Sequence, residues 1–126
     1  MRRHPPHRAL LPVVELRAPA GWQADSRLPV VSAEEGLPFG AEDLWQASFG
    51  DGAWILDIGW DDARRRYDCR VIADGEWIAP IERAYLRSVG EVAEWARYWF
   101  EEVALREGST RLSFRELNNM MRELDE

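Results

Sequence analysis

The sequence predicts an α+β fold: an antiparallel β-sheet, a long C-terminal helix packed on one of its faces, and a short terminal helix after that. Three observations carry the expectation. Residues 54–60 and 67–73 alternate apolar and polar positions at period two, the pattern of strands with one face in a core. After Pro80 the period changes, and Val92, Ala96, Trp99 and Val103 recur at helical spacing. The chain has 126 residues, 46% hydrophobic and 31% charged, enough for one domain that buries about two-thirds of the surface its unfolded form exposes.

Residues 1–8 (MRRHPPHR) read as a disordered tail, and 9–126 as the single domain. Six of the seven prolines precede position 41. Proline removes a ladder donor, so strands in that region should be short or at an edge, with 13–17 and 28–31 as candidates. Residues 40–46 fit one helical turn or a loop.

The meander comes next. Trp54, Leu56, Ile58 and Trp60 share one phase, as do Tyr67, Cys69, Val71 and Ala73. Pairing Trp60 with Tyr67 sets Ile58 against Cys69 and Leu56 against Val71. The same register sets Asp57 against Arg70 and Ile55 against Ile72 on the other face, and a one-residue slip would mix the two faces. Asp74-Gly75 is a strong two-residue hairpin signal, because both turn positions favour positive φ. It sets Val71 against Ile78 and Ile72 against Trp77, making 54–79 a three-stranded antiparallel unit. Residues 81–86 are a candidate fourth strand.

Ser88-Val89-Gly90-Glu91 forms a capping box that starts a helix, and Gly108 is placed to stop it. Ser113-Phe114-Arg115-Glu116 is a second box, followed by the stripe Phe114, Leu117, Met121 and Leu124. Helices are therefore expected near 88–107 and 113–124.

All 16 basic residues are arginine, so Schiff-base and P-loop lysine chemistry is excluded. Residues 1–27 carry five arginines and two acids, and residues 28–126 carry eleven arginines and 21 acids. A body at −10 should repel nucleic acid and attract basic partners at long range. No window approaches 18 apolar residues. The apolar run at 9–14 is cut by Glu15, short of a signal-peptide core, which points to a cytoplasmic protein.

Catalytic equipment is sparse. Cys69 is the lone cysteine and falls on the core face, where a thiol is inert. His4 and His7 sit in the tail without further ligands, so neither a metal nor another cofactor is expected. Asp57 lies inside a strand, but its partner Arg70 makes it a cross-strand ion pair worth about 0.2–1 kcal/mol. Asp61 and Asp62 lack a third ligand at calcium-loop spacing. No G-x-S-x-G, G-x-G-x-x-G or P-loop occurs, and no enzyme is expected.

Seven tryptophans remain to be placed. Trp54, Trp60 and Trp99 follow the core phase, and Trp95 falls at the edge of the helix stripe; Trp22, Trp45 and Trp77 have no such place. Aromatics set in an acidic surface are what a binding hot spot requires. The candidate partner-binding set is Trp45, Asp57, Asp61, Asp62, Asp74, Glu76 and Trp77, gathered on one side of the sheet. Charge reversal at Asp61 and Asp62 should slow association and leave folding nearly unchanged.

The run W54-I-L-D-I-G-W60, then Y67-D-C-R-V-I-A-D-G-E-W77, then S88-V-G-E-V-A-E-W-A-R-Y-W-F100 resembles the immunity proteins of bacterial polymorphic toxin systems. R111-L-S-F-R-E-L117 is similar to the aromatic-x-x-Leu ending of the immunity family commonly paired with deaminase and nuclease toxins. The likeness covers about half the chain; the Pro- and Arg-rich first 40 residues depart from it. It implies a small acidic cytoplasmic binding protein that inhibits one cognate toxin by occluding its basic active-site surface. The partners expected are that toxin or another basic protein, with no nucleic acid and no membrane, and the chain a monomer or a homodimer. The alternative is a regulatory or adaptor domain without catalytic activity, dimerising through the second sheet face.

Overall fold

Period-two alternation and proline placement explain most of the strands. The computed structural model describes residues 11–37 and 42–125, and the tail expected at 1–8 lies outside them. Chain order is β1 Val13–Glu15, β2 Trp22–Ala24, β3 Arg27–Pro29, β4 Glu42–Phe49, β5 Trp54–Asp61, β6 Arg66–Ala73, β7 Glu82–Leu86 and α1 Val89–Asp125. β1 and β3 form a two-stranded antiparallel sheet; the other five strands form an antiparallel sheet ordered β2-β4-β5-β6-β7. The class is α+β, as the sequence predicts.

The β5–β6 register matches the expected one pair by pair, from Trp60↔Tyr67 through Asp57↔Arg70 to Ile55↔Ile72. The short strands 13–15 and 27–29 pair where the prolines confine them.

Three expectations are corrected. Residues 42–49 form a full strand instead of a helical turn or loop. From Trp45 onward the chain alternates, with Trp45 and Ala47 buried and Gln46 exposed. A bulge between Asp43 and Trp45 lets both Leu44 and Trp45 point inward.

The strand after Asp74-Gly75 does not begin at once. Both residues take positive φ, 55° and 73°. The Asp74 N–H, however, donates to the Ala53 carbonyl across the neighbouring turn (2.9 Å). Further turns follow, with Glu76 N–H to the Ala73 carbonyl at 3.1 Å and Ala79 N–H to the Glu76 carbonyl at 3.2 Å. Pro80 has no N–H to offer a ladder. Pairing resumes at Ile81, whose N–H reaches the Val71 carbonyl at 2.9 Å. Val71 therefore faces Glu82, not Ile78, and β7 is the strand expected at 81–86.

The helix runs through Gly108 to Asp125, so there is one long helix and no separate terminal one. Glycine in a helix interior costs about 1 kcal/mol and permits a stop without imposing one. No proline follows to enforce it. The helix start is as expected: Ser88 Oγ accepts the Glu91 N–H at 3.2 Å, while Glu91 Oε1 accepts the Arg87 N–H at 2.7 Å.

α1 lays Val92, Ala96, Trp99, Phe100 and Val103 on the sheet, all buried. Trp22 packs between Phe49 and Phe100, with centroids at 5.2 and 5.0 Å. Trp54 Nε1 donates to Glu107 Oε2 at 2.9 Å and ties the helix to the far end of β5. Tyr67 joins the two sheets: its hydroxyl donates to the Pro29 carbonyl at 3.1 Å and accepts the Val31 N–H at 2.9 Å. Burial pushes the Cys69 thiol well above its ordinary range, which keeps it protonated and inert. Among the described residues, no helix is long and apolar enough to cross a membrane.

Candidate functional site

Alternation along β4 to β7 sends one set of side chains to the helix and the other to the opposite, outer face. Asp57 belongs to the outer set, yet is only 2% exposed. Its Oδ2 accepts from Arg70 Nη2 at 2.7 Å and its Oδ1 from Gln46 Nε2 at 3.1 Å. The Arg70 guanidinium carbon lies 5.7 Å from the centre of the Trp77 ring.

Ile72 also faces outward in register but is fully buried, which requires cover from that side. The 74–81 loop carries Trp77 back over this face. Trp77 is thus on the second sheet face, as expected, but a loop brings it there and not a strand. The same loop leaves Ile78 98% exposed, with Ile81 and Trp77 at 45% and 41%. Asp74, Glu76 and Glu82 stand exposed around them.

The opposite end of β5 is organised by ion pairs. Asp61 Oδ2 accepts from Arg64 Nη1 at 2.6 Å and its Oδ1 from the Arg64 N–H at 3.2 Å, and these hydrogen bonds hold its carboxyl below its usual range. Arg64 lies 4.4 Å from the Tyr85 ring centre, and Arg83 lies 5.4 Å from it. Arg83 grips Asp68 with two hydrogen bonds, at 3.0 and 2.8 Å.

Asp62 has a different task. Its Oδ1 accepts the Trp60 Nε1–H at 2.9 Å and the Leu37 N–H at 2.7 Å, which fastens the segment before β4 to the β5–β6 turn. Gly36 crosses directly over this latch at φ 63°, and a Cβ there would overlap Asp62 Oδ1 and the Arg65 guanidinium. The expectation that Asp61 and Asp62 are solvated steering charges is therefore corrected for both: Asp61 is paired with Arg64, and Asp62 holds the latch.

The Trp60 and Leu37 hydrogen bonds hold the Asp62 carboxyl below its ordinary value. A depressed folded pKa contributes stability above the unfolded value, and the contribution is lost as pH falls. Asp62→Asn should thus unfold at lower urea than the parent at pH 7. The gap should begin to narrow below about pH 4, the ordinary aspartate value, and close only as pH falls through the lower folded one. A gap that persists unchanged at pH 3 would show that the charge contributes nothing.

Of the candidate set, Asp74, Glu76 and Trp77 share the exposed 74–81 loop, while Asp57, expected as a contact residue, is buried and reaches Trp77 only through Arg70. Asp61 shares the outer face but sits at the other end of β5, beside Arg64. Trp45 does not belong: it is 1% exposed on the helix face, with its ring centre 6.4 Å from that of Phe100. Sequence reasoning missed Ile78 and Ile81. Their signal was two large apolar residues flanking Pro80, in a stretch that a proline must break.

A groove of about 560 Å³ also opens on the outer face, floored by Gln23, Gln46, Ser48 and Ile55 and closed by the turn at 50–52. Among the described residues, no group of three or more His, Cys, Asp or Glu side chains is placed to hold a metal ion. Comparison with protein families, characterised proteins and solved structures finds no match for this chain.

Proposed function

We propose that this chain is an inhibitory binding protein, an immunity protein that blocks a basic toxin domain by occluding its active-site surface. One observation carries the reading: the 74–81 loop presents Ile78 almost wholly to solvent beside a half-exposed Trp77, inside a rim of Asp74, Glu76 and Glu82. A fully exposed isoleucine gains nothing in the free protein. It gains burial only in a partner's cleft, where each buried methylene is worth about 0.8 kcal/mol. The acidic rim and the −10 body steer a basic partner towards that tip. The Asp57–Arg70 pair beneath Trp77 holds the ring in place before the partner arrives.

The test uses the product of the gene that neighbours this one, which on this reading carries a toxin domain. The parent protein should bind it and protect cells that express it. Ile78→Asp should weaken binding by about thirtyfold, the roughly 2 kcal/mol of a hot-spot residue. Folding should change by no more than about 0.5 kcal/mol, because the site is on the surface. If the parent neither binds nor protects, the reading fails; if Ile78→Asp binds as tightly as the parent, the loop is not the contact.

A further inference from the structure

We infer that the groove over β2, β4 and β5 is a binding site for an extended peptide segment bearing an arginine or lysine. Its lining consists of neutral amides and a hydroxyl (Gln23, Gln46, Ser48) with Ile55 in the floor. A glutamine carboxamide offers one acceptor and two donors, the same chemistry as a peptide group. Among the described residues, the side chains of Gln23 and Ser48 have no hydrogen-bonding partner. They sit opposite each other in the β2–β4 register. Gln46 gives its Nε2 to Asp57 and keeps its oxygen as an acceptor. These groups can pair with the backbone of an extended chain whatever its sequence, while Ile55 meets one apolar side chain.

The charge of the ligand follows from the rim. Among the described lining residues Asp51 is the charged one, and Asp74, whose N–H is bonded to the Ala53 carbonyl, stands in the adjoining turn. Among the described residues no arginine lines the groove, so a phosphate or an acidic peptide finds no counter-charge from them. Among the described residues no aromatic ring lines it either, so they offer a sugar no face to stack on. The groove volume lies within the usual range for ligand sites of about 300–1,000 Å³.

The groove and the 74–81 loop lie on one face, so the segment is assigned to the same partner. In that respect alone the inference rests on the function proposed above. A peptide titration needs no toxin, so failure here and failure of that reading are read separately.

The full chain, labelled with ¹⁵N, is titrated with acetyl-Ala-Ala-Arg-Ala-amide, with its glutamate counterpart and with cellotriose. The arginine peptide should give saturable shifts at Gln23, Ser48, Gly52 and Ile55, with millimolar affinity and at least tenfold preference over the glutamate peptide. Asp51→Asn is the informative variant. Asp51 holds φ 55°, a conformation that asparagine tolerates, so the substitution removes the charge and keeps the turn. It should abolish the preference for arginine. Gln23→Ala should weaken both peptides alike. The inference is overturned by any of four results: absent shifts, equal affinity for the two peptides, preferential binding of cellotriose, or an arginine preference that survives Asp51→Asn.

Discussion

Trp45→Ala is expected to destabilise the protein by about 3–5 kcal/mol, the usual cost of truncating a buried tryptophan. The residue is 1% exposed, pairs with Ile58 across the sheet and packs towards Phe100 on the helix. No neighbour on a strand can move in to fill the space, because β4 is fixed on both sides by β2 and β5. A domain of this size has about 5–15 kcal/mol in total, so the variant should be largely unfolded well below the parent's melting temperature. One detail sharpens the test. The Trp45 indole N–H is buried without a hydrogen-bonding partner among the described residues. An unsatisfied buried donor costs about 1–3 kcal/mol. Trp45→Phe removes that donor while keeping an aromatic ring, so it should cost far less than the alanine variant. Urea denaturation of the two variants checks both statements. A Trp45→Ala protein that stays as stable as the parent but loses partner binding would return Trp45 to the surface and refute the assignment of faces.

The sequence was most informative where a physical pattern had no competitor. The β5–β6 register was legible because alternation at both strands leaves only one pairing that keeps each face consistent. The first turn of α1 was legible because Ser88 and Glu91 are bonded locally. β4 was hidden by the bulge at Leu44, which breaks the alternation at the point where a reader would begin counting. Once the count starts at Trp45, the pattern Trp-Gln-Ala-Ser-Phe is a strand like the others. The 74–81 loop misled for a different reason. Asp74-Gly75 adopts the backbone of a tight turn, but Pro80 cannot join a ladder, and the chain delays its return until Ile81. That delay frees Trp77 and Ile78 from a strand, and the candidate contact surface depends on it. Gly108 shows the opposite limit: a stop signal has no force when the helix formers on either side outweigh it. Asp62 was misjudged because its partners, the Leu37 N–H and Trp60 Nε1, come from a loop and a side chain that no local pattern connects.

Asp57→Ala is the second large effect, expected to cost about 3 kcal/mol. Cross-strand proximity alone suggests an ion pair worth less than 1 kcal/mol, the value for exposed partners. Burial changes the magnitude. The Asp57 side chain is 3% exposed, and it neutralises an arginine that is itself only a quarter exposed. Removing one member of a buried pair leaves the other charged and desolvated, at about 3–5 kcal/mol. The lower end applies because Arg70 retains some contact with water. Among the described residues the Arg70 Nε is already buried without a hydrogen-bonding partner, so the loss of Asp57 adds to an existing deficit. Removing both charges should restore much of the loss: Asp57→Leu combined with Arg70→Met should be more stable than Asp57→Ala alone. The effect should reach the contact surface as well, because the guanidinium that Asp57 fixes lies beneath the Trp77 ring. Asp57→Ala should therefore increase the quenching of Trp77 by iodide, read against a Trp77→Phe reference, while the protein is still folded. A cost below 1 kcal/mol with unchanged quenching would mean that the pair is a solvated surface contact and that the 74–81 loop is held by something else.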